Sequence, residues 1–237
     1  MKLRVASYNI HKAVGLDRRC DPERILTVLR EIDADVIALQ EADRRYGLRE
    51  AVIPRAALDD HSPWRVVEPG HYDSARTASS MGWHGNALLV RRDIEVLGAC
   101  AVPLPTIEPR GAVCVSLMLA GQVVRVVGMH LDLSGLRRRA QVEAVCAHIA
   151  GHDEPGHAVM MGDLNEWSIK GGALAAFRAP LRVLAPGRSF PSRRPLAQLD
   201  RIVITDRLEA DGFGVHHSAL AAVGSDHLPV WADLRLP

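Results

Sequence analysis

A chain of 237 residues, 48% hydrophobic and with a formal net charge of +1, can build a substantial core but has no global field to draw it onto nucleic acid or an anionic membrane. Aromatics make up only 4% of the residues, so that core must come from Val, Leu, Ile and Ala. The four cysteines, Cys20, Cys100, Cys114 and Cys146, form no C-x-x-C pair, which argues against a zinc knuckle or a thioredoxin-type centre.

The first strand is expected over residues 3–7. Asp21-Pro22-Glu23 is a helix start, with Asp as N-cap and Pro at the first helical position, and Ile25, Val28, Leu29 and Ile32 follow at helical spacing. Residues 36–39 read as a buried strand, so a β-α-β unit delivers Glu41 at a strand's C-terminal edge. Residues 42–80 are polar and irregular, with at most one short element, and offer Trp64 and Tyr72, with Trp83 just beyond, as well as Arg44, Arg45, Arg49 and Arg55 for a substrate surface. Strand character resumes over 85–91, 96–102 and 113–119. Gly121-Gln122 is then the expected hairpin turn, and residues 123–129 form the returning strand, which leads into His130-Leu-Asp132. A helix is expected over 136–150 with Gly151 at its C′ position, and Arg137-Arg138-Arg139 is expected to be a solvated face. Residues 158–161 form another buried strand before Asp163, 165–198 a second long loop region, and 202–204 and 229–236 the last strands. Cys114 and Cys146 fall in apolar periodic segments and are expected to be small core residues.

The N-terminus enters a strand pattern at once, so a secretory leader is not expected, and no apolar run approaches the length needed to cross a bilayer. The expectation is a cytoplasmic protein. Polar clusters run from residue 9 to residue 227 with no linker between them, which points to one domain over residues 1–237 with mixed strand pairing.

Those clusters carry the chemistry. Carboxylate, carboxamide and imidazole groups without a cysteine suit a hard divalent cation and a phosphate. Glu41 and Asp226, with Asn9 nearby, would satisfy a magnesium ion, although each carboxylate alone also fits a helix or turn cap. Asp163 and Asn165 flank Leu164 and would face one cavity in an extended or turn segment; the same residues also spell an Asx-turn. His227 and His130 could each serve a phosphate oxygen, and Asp200 could hold His227. Arg110 and Arg193 lie on loops and suit bidentate phosphate contact, while Asn86 opens a strand much as the other clusters do. The remaining histidines, including His11, His148 and His152, are expected to be surface or satisfied core residues.

Taken together and in order, Ser-Tyr-Asn9-Ile, Leu-Gln-Glu41, Gly-Asn86-Ala, His130-Leu-Asp, Gly-Asp163-Leu-Asn165, Leu-Asp200-Arg and Ser-Asp226-His227 resemble the endonuclease/exonuclease/phosphatase superfamily, which includes deoxyribonuclease I and exonuclease III. The Ser-Tyr-Asn-Ile-His-Lys start resembles its small stand-alone bacterial members. The resemblance implies a four-layer α/β sandwich of two mixed sheets packed face to face with helices outside. It also implies Mg²⁺ at Glu41, with Mn²⁺ able to substitute, and Asn9 and Asp226 near the metal. By the same resemblance Asp163 orients or deprotonates water, Asn165 helps hold water and phosphate, and His227 paired with Asp200 contacts the scissile phosphate. His130 matches a position where nuclease I-like and sphingomyelinase-like members carry histidine. The activity implied is Mg-dependent hydrolysis of phosphate esters, with a nuclease-like phosphodiesterase first. A lipid or small-molecule phosphoesterase and a non-catalytic phosphate-binding module are the alternatives. A basic groove would mark a nucleic-acid enzyme, an apolar rim beside the site a phospholipid enzyme.

Overall fold

The computed structural model describes residues 1–44, 50–70, 79–106, 110–152 and 156–237. Its first unit is the expected β-α-β: β1 (Lys2–Asn9), α1 (Pro22–Ile32) and β2 (Val36–Gln40), with β1 and β2 parallel. The Asp21 carboxylate accepts the Arg24 N–H at 3.0 Å, satisfying one of the amides left free at a helix start and contributing about 1 kcal/mol. Ile25, Leu26, Val28, Leu29 and Ile32 are buried on the sheet side of α1, so one apolar stripe fixes how the helix lies.

Twelve strands form two six-stranded sheets among the described residues. The first runs β11 (Glu209–Val215), β12 (Val230–Arg235), β1, β2, β4 (Ala87–Arg91), β3 (Trp64–Val66). The second runs β5 (Glu95–Val102), β6 (Gly111–Leu119), β7 (Gln122–His130), β8 (His157–Asp163), β10 (Asp200–Thr205), β9 (Leu181–Leu184). Among the named strands β1–β2 and β7–β8 pair in parallel, and each of these pairs is joined through a helix, α1 in the first sheet and α3 (Gly135–Ala150) in the second. Leu3, Val5, Val36, Ala38 and Leu88 of one sheet pack between the sheets against Val113, Val115, Val126, Val159, Met161 and Ile202 of the other. On the outside, α1 and α2 (Arg55–His61) cover the first sheet and α3 the second. The four-layer sandwich implied by the resemblance is therefore the observed architecture.

Several local expectations shift. Residues 42–80 contain both α2 and β3, and the 165–198 region contains β9 and a 3-10 turn at Gly172–Ala176. The β6–β7 hairpin turns at Ala120-Gly121, one residue earlier than expected: both have left-handed φ (50° and 75°), the two-residue geometry that matches strand twist, and Leu119 pairs with Gln122. Gly151 caps α3 with φ −75°, in the right-handed region, and its N–H bonds the Ala147 carbonyl. Gly162 is required by packing, because a Cβ there would lie 1.8 Å from the Met129 carbonyl oxygen. No helix among the described residues is long and apolar enough to cross a membrane.

Candidate functional site

Strand direction gathers the polar clusters. β1, β2, β7 and β8 finish at the same end of the sandwich at which β10 and β12, antiparallel to their neighbours, begin. Asp163 is the register partner of His130 on β7 and of Asp200 on β10, so three side chains line up across the second sheet. Asn9 closes β1 opposite Gln40, and Glu41 follows directly.

The two sheets meet through Asn9, whose Nδ2 donates to Asp163 Oδ2 at 3.0 Å, while Asn9 Oδ1 accepts the His11 N–H at 3.1 Å. Asp163 Oδ1 accepts the Asn165 N–H at 2.9 Å, so the expected Asx-turn is real. Asn165 takes the turn form of that segment: its φ is 50°, and its amide Nδ2 donates to the Leu131 carbonyl at 2.9 Å. The turn and the site are one feature, because the bond that makes the turn also fixes the plane of the Asp163 carboxylate.

His227 is buried at 4% exposure. Its Nδ1 lies 2.9 Å from Asp200 Oδ2 and its Nε2 3.6 Å from Asp163 Oδ2. Ser189 Oγ donates to the same Asp200 oxygen at 2.5 Å. Burial alone would lower the His227 pKa, but the Asp200 and Asp163 charges and the Asp200 hydrogen bond outweigh it and push it up to about 10. His130 goes the other way: its Nε2 is 3.4 Å from Asp163 Oδ2, yet full burial and the Arg110 guanidinium against the ring hold its pKa at about 4. The two imidazoles are thus shifted in opposite directions, and both face one carboxylate.

Glu41 has left-handed backbone (φ 53°), and the Lys12 ammonium rests on its carboxylate. Burial would raise the Glu41 pKa, but the charges of His130, Lys12 and His11 hold it below the usual carboxylate value. His11 Nδ1 is also 3.9 Å from Asp226 Oδ1. Ser225 Oγ donates to the Asn9 carbonyl at 2.6 Å, tying the Asp226-His227 segment to the end of β1. Six of the nine non-glycine residues with left-handed φ among those described lie at or beside this end: His11, Lys12, Ala13, Glu41, His84 and Asn165. Such backbone persists where the surroundings enforce it, commonly at functional sites.

Asn9, Glu41, Arg110, His130, Asp163, Asn165, Asp200, Asp226 and His227 thus come together as expected. Asn86 adjoins them just before β4, buried, with its Oδ1 lacking a hydrogen-bond partner among the described residues. Arg193 stays exposed on the loop before β10 and makes no hydrogen bond or ion pair with the described cluster. Trp64 is core instead of substrate surface, its indole N–H bonded to the Ala34 carbonyl at 2.7 Å; Arg44 pairs with Glu50 and Arg55 with Glu68. Arg45, Arg49 and Tyr72 lie outside the described residues.

Sequence reasoning missed Lys12, His11 and Ser225, and misjudged Arg138. That side chain is 8% exposed, not a solvated face. It donates to the Leu133 carbonyl at 2.6 Å and pairs with buried Glu166 at 3.3 Å, which in turn accepts the Ser168 and Ala173 N–H groups. Arg138 therefore ties the loop after His130 to the loop after Asn165. The available signal was spacing: Arg138 lies three and four residues before Gln141 and Val142, on the buried stripe of α3.

A family-level sequence profile described as Endonuclease/Exonuclease/phosphatase family matches residues 6–227, from just before Asn9 to His227. The chain belongs to that family. The Escherichia coli (strain K12) protein YbhP is 24% identical over 98% of this chain and 96% of its own length. Among solved structures, the endonuclease/exonuclease/phosphatase from Bacteroides vulgatus superposes with a TM-score of 0.77 at 18% identity, covering 100% of each chain. D. rerio TDP2 complexed with single strand DNA product gives a TM-score of 0.74 at 16% identity, covering 99% of each chain.

Proposed function

We propose that this member of the family is a divalent-cation-dependent phosphodiesterase. The observation that carries the reading is the geometry around Asp163, whose carboxylate lies 3.4 Å from His130 Nε2 and 3.6 Å from His227 Nε2, with His227 held from its other side by Asp200 at 2.9 Å. A cationic His227 has no lone pair to take a proton, which leaves Asp163 as the group that orients and deprotonates the attacking water. His227, held by Asp200, offers its Nε2–H to the phosphoryl oxygen where charge grows, and the Asn165 amide supports the same face. The Arg110 guanidinium, against His130, stands ready for a second phosphoryl oxygen.

The donor set at Glu41 fits a hard cation, because its carboxylate already holds the Lys12 ammonium and offers only oxygen. Mg²⁺, with Mn²⁺ as substitute, would be held by Glu41 together with Asn9 and Asp226 and supplies positive charge to the phosphoryl oxygens. Asp163, Asp200 and His227 also bring three ligand-type atoms within 4.8 Å of one another. We assign them to proton and phosphate handling instead, because both His227 nitrogens already face carboxylates and the ring is cationic.

The test is hydrolysis of bis-(p-nitrophenyl) phosphate. Glu41→Gln and His227→Gln should each cost on the order of 10²–10³ in kcat, with the wild-type rate requiring Mg²⁺ or Mn²⁺. Full activity in both variants, or cation-independent turnover, rules the reading out. Cation binding without any turnover would leave the non-catalytic phosphate-binding module.

For the substrate, nucleic acid remains the first class, in keeping with what TDP2 is complexed with. A specific observation favours a second, an amphiphilic phosphoester. Leu133, Leu136, Trp167, Ile169 and Leu196, all 60–87% exposed, sit on the loops that follow β7 and β8 and precede β10 and, for Leu136, on the first turn of α3. Half of the ten large exposed apolar residues among those described therefore ring one end of the molecule, the end that carries the site.

A further inference from the structure

The outer face of the second sheet carries another group of ligand-type side chains. Cys100 on β5 and Cys114 on β6 oppose each other directly in antiparallel register, and α3 lays His148 over them. Cys100 Sγ lies 3.6 Å from His148 Nε2, and one ligand atom from each of the three residues lies within 4.8 Å of the other two. All three thiols in this layer, Cys146 included, are free. Cys114 is buried, whereas Cys100 and His148 are half-buried, so the group can be reached from one side. Next along α3, the His152 ring centroid is 5.2 Å from that of His148, and His152 Nε2 is buried with no hydrogen-bond partner among the described residues.

This group is separate from the phosphoesterase site. Cys114 pairs with Val127, three residues before His130, and packs under α3, while the alternate residues Val124 and Val126 face the other sheet as His130 does. Along-strand spacing therefore puts it about 10 Å from His130 and on the opposite sheet face.

Two sulfurs and an imidazole suit a soft or borderline ion and not Mg²⁺, which prefers oxygen. Tetrahedral zinc with bonds of about 2.3 Å to sulfur and about 2.05 Å to nitrogen requires an S···N edge of about 3.6 Å, which is the Cys100–His148 separation. We propose that Cys100, Cys114 and His148 form a zinc-binding site, with His152 as the adjacent fourth donor. The ion would pin the C-terminal half of α3 to β5 and β6.

The experiment is a Co²⁺ titration of the full chain, kept reduced, in a Cys20→Ser background that removes the exposed thiol. One equivalent of Co²⁺ should give a thiolate-to-cobalt band in the near ultraviolet and intense tetrahedral visible bands. The signal should be displaced by Zn²⁺ and indifferent to Mg²⁺. Cys100→Ser and His148→Ala should each weaken binding at least tenfold, whereas Cys146→Ser should not. Mg²⁺-dependent hydrolysis of bis-(p-nitrophenyl) phosphate should persist in all of them, which reports that they are folded and separates this site from the catalytic one. No thiolate band, a band that survives both Cys100→Ser and His148→Ala, or an equal loss in Cys146→Ser would overturn the proposal. So would a silent titration accompanied by a Cys100–Cys114 disulfide on exposure to air, seen as the loss of two hydrogens by mass.

Discussion

His227 is where charge placement has its sharpest consequence. An unperturbed imidazole titrates near 6.5, but between Asp200 and Asp163 this one holds its proton up to about 10. If the imidazolium is the phosphate donor, kcat/KM should stay high through neutral pH and fall only as pH rises through about 10. Asp200→Asn removes the larger of the two carboxylate contributions and should move that alkaline limb down, which a pH–rate profile reads directly. A wild-type rate that rises as pH passes through about 6.5 would make neutral His227 the active form and overturn the assignment. The same raised value makes a statement about stability: the contribution of this ion pair is fully present below about pH 6.5 and is lost as pH rises through about 10. His130 has the opposite sign. Its pKa is lowered to about 4 by burial and Arg110, so its contribution is present above about 6.5 and fades as pH falls toward about 4.

Elements with a complete signal were legible in the sequence, and those lacking one were not. α1 announces itself through Asp21, Pro22 and an apolar stripe, and the central strands β2, β8 and β10 through continuous apolar runs buried on both faces. By contrast β3 and β9 are edge strands of three and four residues, and β11 is an edge strand with Gly212 and Gly214 and no apolar alternation, so nothing in their local sequence outweighs a loop. The site residues at strand ends were legible because motif spelling and strand position agree. Lys12 and Ser225 were not, since their roles depend on contacts to Glu41 and to the Asn9 backbone, 29 and 216 residues away. α3 was found, but the side that Arg138 faces was not, because three consecutive arginines mask the stripe. That error has a measurable counterpart. Arg138→Met leaves Glu166 buried without its cation and frees the Leu133 carbonyl, so it should destabilise the fold by about 3 kcal/mol in urea unfolding. It should also lower kcat, because the loops bearing His130 and Asn165 lose their tie. Surface behaviour, a change within about 0.5 kcal/mol, would show that the pair carries no weight.

At the scale of the molecule, two β-α-β units stand back to back. One presents Asn9 and Glu41, the other His130 and Asp163, and the antiparallel strands β10 and β12 add Asp200 and His227. The site is therefore a seam between two sheets, and the loops above it are free to set the substrate. Their apolar tips make the amphiphile reading testable. Each Leu or Trp that enters a lipid phase gains roughly 1.5–3 kcal/mol, about ten- to a hundredfold in binding. Leu136→Ser with Trp167→Ser should then reduce turnover of micellar lysophospholipid at least tenfold while leaving bis-(p-nitrophenyl) phosphate, which needs no rim, unchanged. Three of the four tryptophans, Trp64, Trp83 and Trp231, are buried or half-buried, so a blue shift of fluorescence on phosphatidylcholine vesicles would report Trp167. Equal losses on both substrates would make the rim a structural feature. Preferential hydrolysis of single-stranded DNA, with binding lost on Trp167→Ser, would instead make Trp167 a platform for bases and return the substrate to nucleic acid without touching the chemistry at Asp163 and His227.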